Sequence, residues 1–166
     1  MKTKEEIITL IAEIEEELKS LEVLEGSLQR LQNKLKDASS EDRQYFLESA
    51  ALELHNLYTG YEGIFEKIAG EINGRVPTTS NWHRRLLKNM ALDIPEVRPF
   101  VITQTLEKEL EEYLRFRHLV RKLYGFELEW ERVKPLLEKV KEVNKRFREE
   151  IRSFLTFLKR LAEELQ

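Results

Sequence analysis

The stretch Tyr113-Leu-Arg-Phe-Arg-His-Leu-Val-Arg-Lys-Leu-Tyr-Gly sets cations where a helix should carry apolar side chains. Leu106, Leu110, Tyr113 and Leu114 define an apolar stripe. Stepping about 100° per residue, that stripe continues through Arg117, Val120, Arg121 and Tyr124. Two arginines therefore fall on core positions. A guanidinium keeps its charge at any ordinary pH and is costly to bury unpaired. Either it meets a buried carboxylate, or the stripe has opened into a cleft that binds an anion. His118 and Lys122 lie beside it, one turn apart.

A second stretch shares the pattern. Arg75 to Met90 carries Arg75, Arg84, Arg85 and Lys88 with no acid, as Arg115 to Lys122 carries Arg115, Arg117, Arg121 and Lys122 with none. These segments hold His83 and His118, two of the three histidines in the chain. Taken alone, each run reads most simply as a solvated helical face. His55 reads as a surface or boundary residue, and Trp82 and Trp130 as packing anchors. The arginines on the core stripe are what a solvated face explains least. Together the two segments predict a localised anion site, with phosphate the natural ligand.

The rest of the composition narrows the field. The chain has 166 residues, 41% hydrophobic and 36% charged, with a net charge of −3. That is enough apolar matter for a core and the balance of long solvated helices. With a sequence pI near 5.8, the chain as a whole is not a basic nucleic-acid binder. Six glycines and four prolines are too few for an all-β sandwich. No cysteine is present, which excludes a disulfide scaffold, a thiolate metal site and a cysteine nucleophile. No apolar run approaches the roughly 20 residues of a membrane span, and the acidic N-terminus is unlike a signal peptide. Both fit the cytoplasm. No Gly-rich phosphate loop occurs, and adjacent acids such as Glu15-Glu16 and Glu163-Glu164 face apart on a helix. Neither a nucleotide-hydrolysing loop nor a metal site is expected.

Periodicity supplies the elements that must position these side chains. Apolar residues recur every three or four positions from Ile7 to Leu35, predicting a long helix over about 2–36. Its first 25 residues hold eight acids against three lysines. Ser39, with Asp42 three residues on, predicts the cap of a second helix, which Asn73-Gly74 ends. Gly60 and Gly63 inside it suggest close helix packing. Residues 75–99 read as a loop feeding a short helix over about 80–91, capped by Ser80 or Asn81, then a stiff stretch with Pro95 and Pro99. A third long helix is predicted over about 100–123 and a fourth over about 129–164, with Pro135 in its first turns.

The expected fold is all-α: an up-and-down four-helix bundle with long first and last helices and a short extra helix in the 75–99 connection. The terminal helices, at roughly 35 residues each, are about 50 Å long. They are expected to pair beyond the core as a coiled-coil-like arm or to add to a dimer surface.

At Phe116-Arg-His-Leu-Val-Arg-Lys-Leu-Tyr-Gly-Phe-Glu-Leu-Glu-Trp-Glu-Arg-Val the chain resembles the HepT-like ribonuclease toxins of the HEPN superfamily. Two upstream pieces agree: Glu53-Leu-His-Asn-Leu-Tyr-Thr-Gly-Tyr-Glu and Trp82-His-Arg-Arg-Leu-Leu. The resemblance covers roughly 45–140 of a single helical domain spanning 1–166, with 1–38 and 141–166 as helical extensions. It implies a homodimeric bundle that cleaves RNA without metal or other cofactor, is paired with a minimal nucleotidyltransferase antitoxin, and is neutralised in related pairs by AMP added to a tyrosine. The family motif runs Arg, four to six residues, His, often with Tyr two residues later. On this chain it begins at Arg117, places Lys122 at the histidine position and ends at Tyr124.

By that resemblance, Arg117 clamps the scissile phosphate and His118 serves as acid or base. Lys122, catalytic by its place at the motif's histidine position, adds positive charge, while Arg115, Arg121, Arg84, Arg85 and His83 bind RNA phosphates. Tyr124 is the AMP-accepting residue. Lysine titrates far above neutrality and transfers protons poorly at pH 7, so His118 is the candidate substitute. Two other readings stand beside this one. The first is a degenerate bundle that binds RNA or a nucleotidyltransferase without cutting. The second is an oligomerising helical adaptor, for which Arg117 and Arg121 should be paired with acids inside the bundle.

Overall fold

A computed structural model describes residues 2–123 and 127–165. Among these the chain is all-helical, with α1 (Lys4–Asp37), α2 (Ser40–Ile72), α3 (Trp82–Met90), α4 (Gln104–Val120) and α5 (Trp130–Glu164). Local chemistry sets most of the ends. Thr3 and Glu6 form a reciprocal capping box at the start of α1, and the Ser39 hydroxyl accepts from the Asp42 N–H at α2. Asn73 closes α2, and Gly74 then takes a left-handed φ of 82°, open to glycine at little cost. Asn81 precedes α3 but makes no side-chain cap.

α4 begins four residues later than its periodicity predicts and ends three earlier. The Val101 and Ile102 N–H groups donate to the Met90 carbonyl at 2.8 and 3.2 Å, so the chain closes the end of α3 before Thr103 caps α4. Pro99 therefore lies outside the helix. At the other end the ladder stops at Val120, leaving Arg121 as the C-cap.

The long helices are held by ion pairs, a hydrogen bond and a shared core. Glu13 with Lys67, and Ser27 with Glu53, run α1 against α2 in opposite directions. Glu15 with Lys159, and Glu22 with Arg148, do the same for α1 and α5; Glu109 with Arg146, and Glu112 with Lys139, do so for α4 and α5. Most of each apolar stripe is buried, from Ile7 to Leu35 in α1 and from Val133 to Ala162 in α5, with Leu24, Leu31 and Leu161 half-buried against the core. The expected arm is thus not formed. The terminal helices pair with each other inside the chain, because their stripes are covered by α2 as well. No helix of the described residues is long and apolar enough to cross a membrane.

Two details fix the packing register. Asn144 is fully buried, accepts from the Tyr61 hydroxyl at 3.0 Å and donates to Glu25 at 3.1 Å, tying α5 to α2 and α1. A Cβ at Gly60 would lie 2.6 Å from Leu21 Cδ2, so α1 passes close there. Gly63 is different from its sequence reading: a Cβ there meets nothing within 4 Å, so close packing does not explain it.

Candidate functional site

α2 carries an acid on its own core face. Glu62 follows Tyr58 and Tyr61 and precedes Phe65 on the stripe that packs inward, and it is 4% exposed. α4 brings Arg117 opposite it, 3% exposed and in the last turn. The guanidinium grips the carboxylate with both Nη atoms, donating at 3.1 Å to Oε1 and at 3.2 Å to Oε2. This planar fork is the geometry in which a buried arginine is least costly. Its Cζ also sits 4.9 Å from the centre of the Tyr58 ring. Of the two outcomes open to Arg117 in the sequence, the buried carboxylate is the one realised, as the oligomerising-adaptor reading asks of Arg117, although exposed Arg121 does not match that reading. Arg117 Nε and the Tyr58 hydroxyl are buried without a partner.

α3 adds an imidazole to this pair. His83 Nδ1 lies 2.7 Å from Glu62 Oε2 and 2.9 Å from Arg117 Nη2. Nδ1 donates to Glu62 Oε2 when it carries a proton and accepts from Arg117 Nη2 when it does not, so either tautomer of His83 is bonded to the ion pair. Trp82 stacks on the ring at 3.7 Å between centroids and fixes its plane. His118, exposed on α4, meets His83 edge-on at 5.5 Å. Partial desolvation, reinforced by the Arg117, His83 and Arg121 charges, holds His118 below the ordinary imidazole value of 6.5. Burial, with Arg117 and Arg121, does the same to His55, one helical turn before Tyr58 on α2. Burial, with Glu62, pushes the Glu66 carboxyl up. Arg117 thus acts on His118 and His55 through its charge and touches His83 directly.

The HepT-like protein family model matches residues 49–158, about two thirds of the chain and the whole of this cluster. The chain belongs to the HepT-like family of the HEPN superfamily. No curated protein and no solved structure matched it.

In this HepT-like protein, the structure brings Arg117, His118 and His83 together, keeps Arg121 near enough for its charge to act on His118 and His55, and places the remaining described candidates apart. Arg121 is exposed, contrary to its place on the extrapolated stripe, because α4 stops one residue before it. Lys122 is exposed in the turn that follows. Arg84 and Arg115 both reach Glu111, at 3.2 and 3.4 Å, on the outer surface. Arg85 turns the other way and donates to the Thr79 hydroxyl at 3.3 Å. Tyr124 lies outside the described residues. Among the described residues, no group of three or more His, Asp or Glu side chains is arranged to hold a metal ion.

The sequence reading missed Glu62, Tyr58 and the involvement of His55. A signal was available for Glu62: an acid on the core stripe of one helix is the natural complement of an arginine on the core stripe of another. Their separation of 55 positions hides the match from any local charge count.

Proposed function

We propose that this chain is a HepT-like endoribonuclease toxin that cuts RNA through two histidines held by a buried ion pair. The reading carries the finer expectations with it: a single up-and-down four-helix domain, a cytoplasmic homodimer, and control by a nucleotidyltransferase antitoxin that adds AMP to Tyr124. What supports it is the convergence of Arg117, Glu62, His83 and His118 within the family-matched region.

The chemistry assigned to these groups balances without a metal. His118, neutral at pH 7 because its pKa is held down, takes the proton from a ribose 2′-hydroxyl. The 2′-oxygen attacks the adjacent phosphorus, forming a 2′,3′-cyclic phosphate. The P–O5′ bond breaks, and His83 in its protonated form gives the leaving oxygen a proton. Glu62 stabilises that imidazolium through the Nδ1 bond. Arg117 acts through Glu62 and His83, orienting both. Arg121 and Lys122 add charge at the rim, with Arg84 and Arg115 further along the surface.

The test is cleavage of a labelled single-stranded RNA in excess EDTA by wild type, His83→Ala and His118→Ala. Wild type is expected to yield products ending in cyclic phosphate, with each variant slower by at least about 100-fold. A second reading is favoured by Lys122 at the motif's histidine position and by Glu62 occupying both Nη atoms of Arg117: a module that holds RNA or a nucleotidyltransferase without cutting. Binding with no cleaved product from wild type would select it.

A further inference from the structure

α3 divides the basic segment that begins at Arg75. His83 and Arg85, two residues apart, leave opposite sides of the helix, one toward Glu62 and the other toward Thr79. On the Arg85 side lies a pocket of about 420 Å³ between the end of α2, the 74–81 loop, α3 and the turn at 94–98. Arg75, Arg85, Thr78 and Thr79 line one part of it, Asn73 and Asn89 another, and Val76, Pro77, Ile94 and Val97 supply an apolar wall. No carboxylate lines it. Neither Arg75 nor Arg85 has an ion-pair partner among the described residues, although acids outnumber Lys and Arg in the chain by 31 to 28.

A third guanidinium stands behind the wall. Arg98 is 4% exposed and is held by neutral acceptors alone: the Asn73 side chain at 2.9 Å and the carbonyls of Leu92, Pro99 and Asn89 at 3.1, 3.0 and 2.9 Å. Asp93 attracts it from further off, without an ion pair. Its charge is therefore left largely uncompensated, in a setting where screening is weak. Three arginines, two of them unpaired at the rim and one buried behind, make a positive pocket in an acidic protein.

We propose that this pocket binds a nucleoside phosphate, with Arg75 and Arg85 on the phosphoryl oxygens and the nucleoside against Val76, Pro77, Ile94 and Val97. Paired guanidiniums match the planar, multidentate demands of a phosphate. The volume admits one nucleotide and exceeds what inorganic phosphate fills, and the apolar wall gives a base or ribose something to cover. Thr78, Thr79 and Asn89 offer hydrogen bonds. The site stands apart from the histidine cluster and does not rest on the cleavage reading. Its ligand has two sources of the same chemistry, a free mononucleotide or one nucleotide of an RNA strand.

The experiment is calorimetric titration of the full chain, wild type and Arg75→Ala/Arg85→Ala, with AMP and with a 2′-O-methyl octaribonucleotide that cannot be cut through its own 2′-oxygen. Circular dichroism confirms that the variant is folded; both side chains are exposed, so the core is untouched. The expected result is at least about tenfold weaker binding by the double variant. Loss for AMP alone identifies a mononucleotide site, and loss for both identifies a nucleotide subsite on RNA. Loss for the oligonucleotide alone also places an RNA nucleotide there. A conservative Arg75→Lys/Arg85→Lys variant should bind between the two, since it keeps the charge and loses the fork. The proposal is overturned if both probes bind the alanine variant as tightly as wild type, or if wild type binds neither.

Discussion

Arg117 and Arg98 are equally hidden, at 3% and 4% exposure, and they solve the same problem in opposite ways. Arg117 meets a carboxylate from a distant helix in a two-point fork. Arg98 meets the carbonyls of Asn89, Leu92 and Pro99 and the Asn73 side chain at the end of α2. The first arrangement cancels charge and couples three helices to an imidazole. The second leaves the charge standing and ties the 92–99 turn to α3 and the end of α2. A buried arginine therefore does not by itself announce a phosphate clamp; what it faces decides whether it organises side chains or projects a field.

The contrast can be broken most directly at Glu62. Glu62→Ala strands a buried guanidinium, and urea unfolding should show a loss of about 3–5 kcal/mol. The double change Glu62→Gln/Arg117→Met should cost less than Glu62→Ala alone, since no buried charge remains. If the double change costs as much or more, the pair is not the source of the penalty.

Arg98→Met comes next, at about 2–4 kcal/mol, because it leaves several buried carbonyls without donors. No second substitution should rescue it, since Arg98 has no single partner. Rescue by any one nearby change would erase the distinction between the two arginines.

The histidines give a subtler readout. His118 should titrate below 6.5 by NMR, shift upward in Arg117→Met and stay put in Arg98→Met. Because the folded chain disfavours protonated His118 and His55, the unfolded chain binds protons first as pH falls. Stability should decline as pH drops below 6.5 and through the lowered values. A His118 that titrates above 6.5 contradicts the electrostatic account.

The smallest effect belongs to Arg121→Ala. An exposed cap residue without a buried partner should change stability by no more than about 0.5 kcal/mol. A larger loss would mean that Arg121 has a role like that of Arg117.

Much of this was legible in advance. Every long helix, its apolar stripe and the Ser39 and Asn73 boundaries follow from spacing and capping, which are local. Arg117 stood out because it breaks a stripe. Arg121 misled because a stripe extrapolates only as far as its helix runs, and α4 ends at Val120 through contacts that its own residues do not reveal. Arg98 was passed over among prolines, since the carbonyls that hold it converge only after the 92–99 turn has closed. His55 looked peripheral because its neighbours Arg117 and Arg121 come from a helix more than 60 residues away. Local rules report faces and ends; the meeting of faces across the bundle is where charge pairing is settled.

The central claim is that the Glu62–Arg117 pair arms an imidazole pair to cut RNA. It is tested most directly by the pH dependence of RNA cleavage in EDTA for wild type and His118→Ala. The account predicts cyclic-phosphate products from wild type, an acidic limb below pH 6.5 set by His118, and loss of both limb and rate in the variant. Equal cleavage by wild type and variant, with the same pH profile, would contradict it.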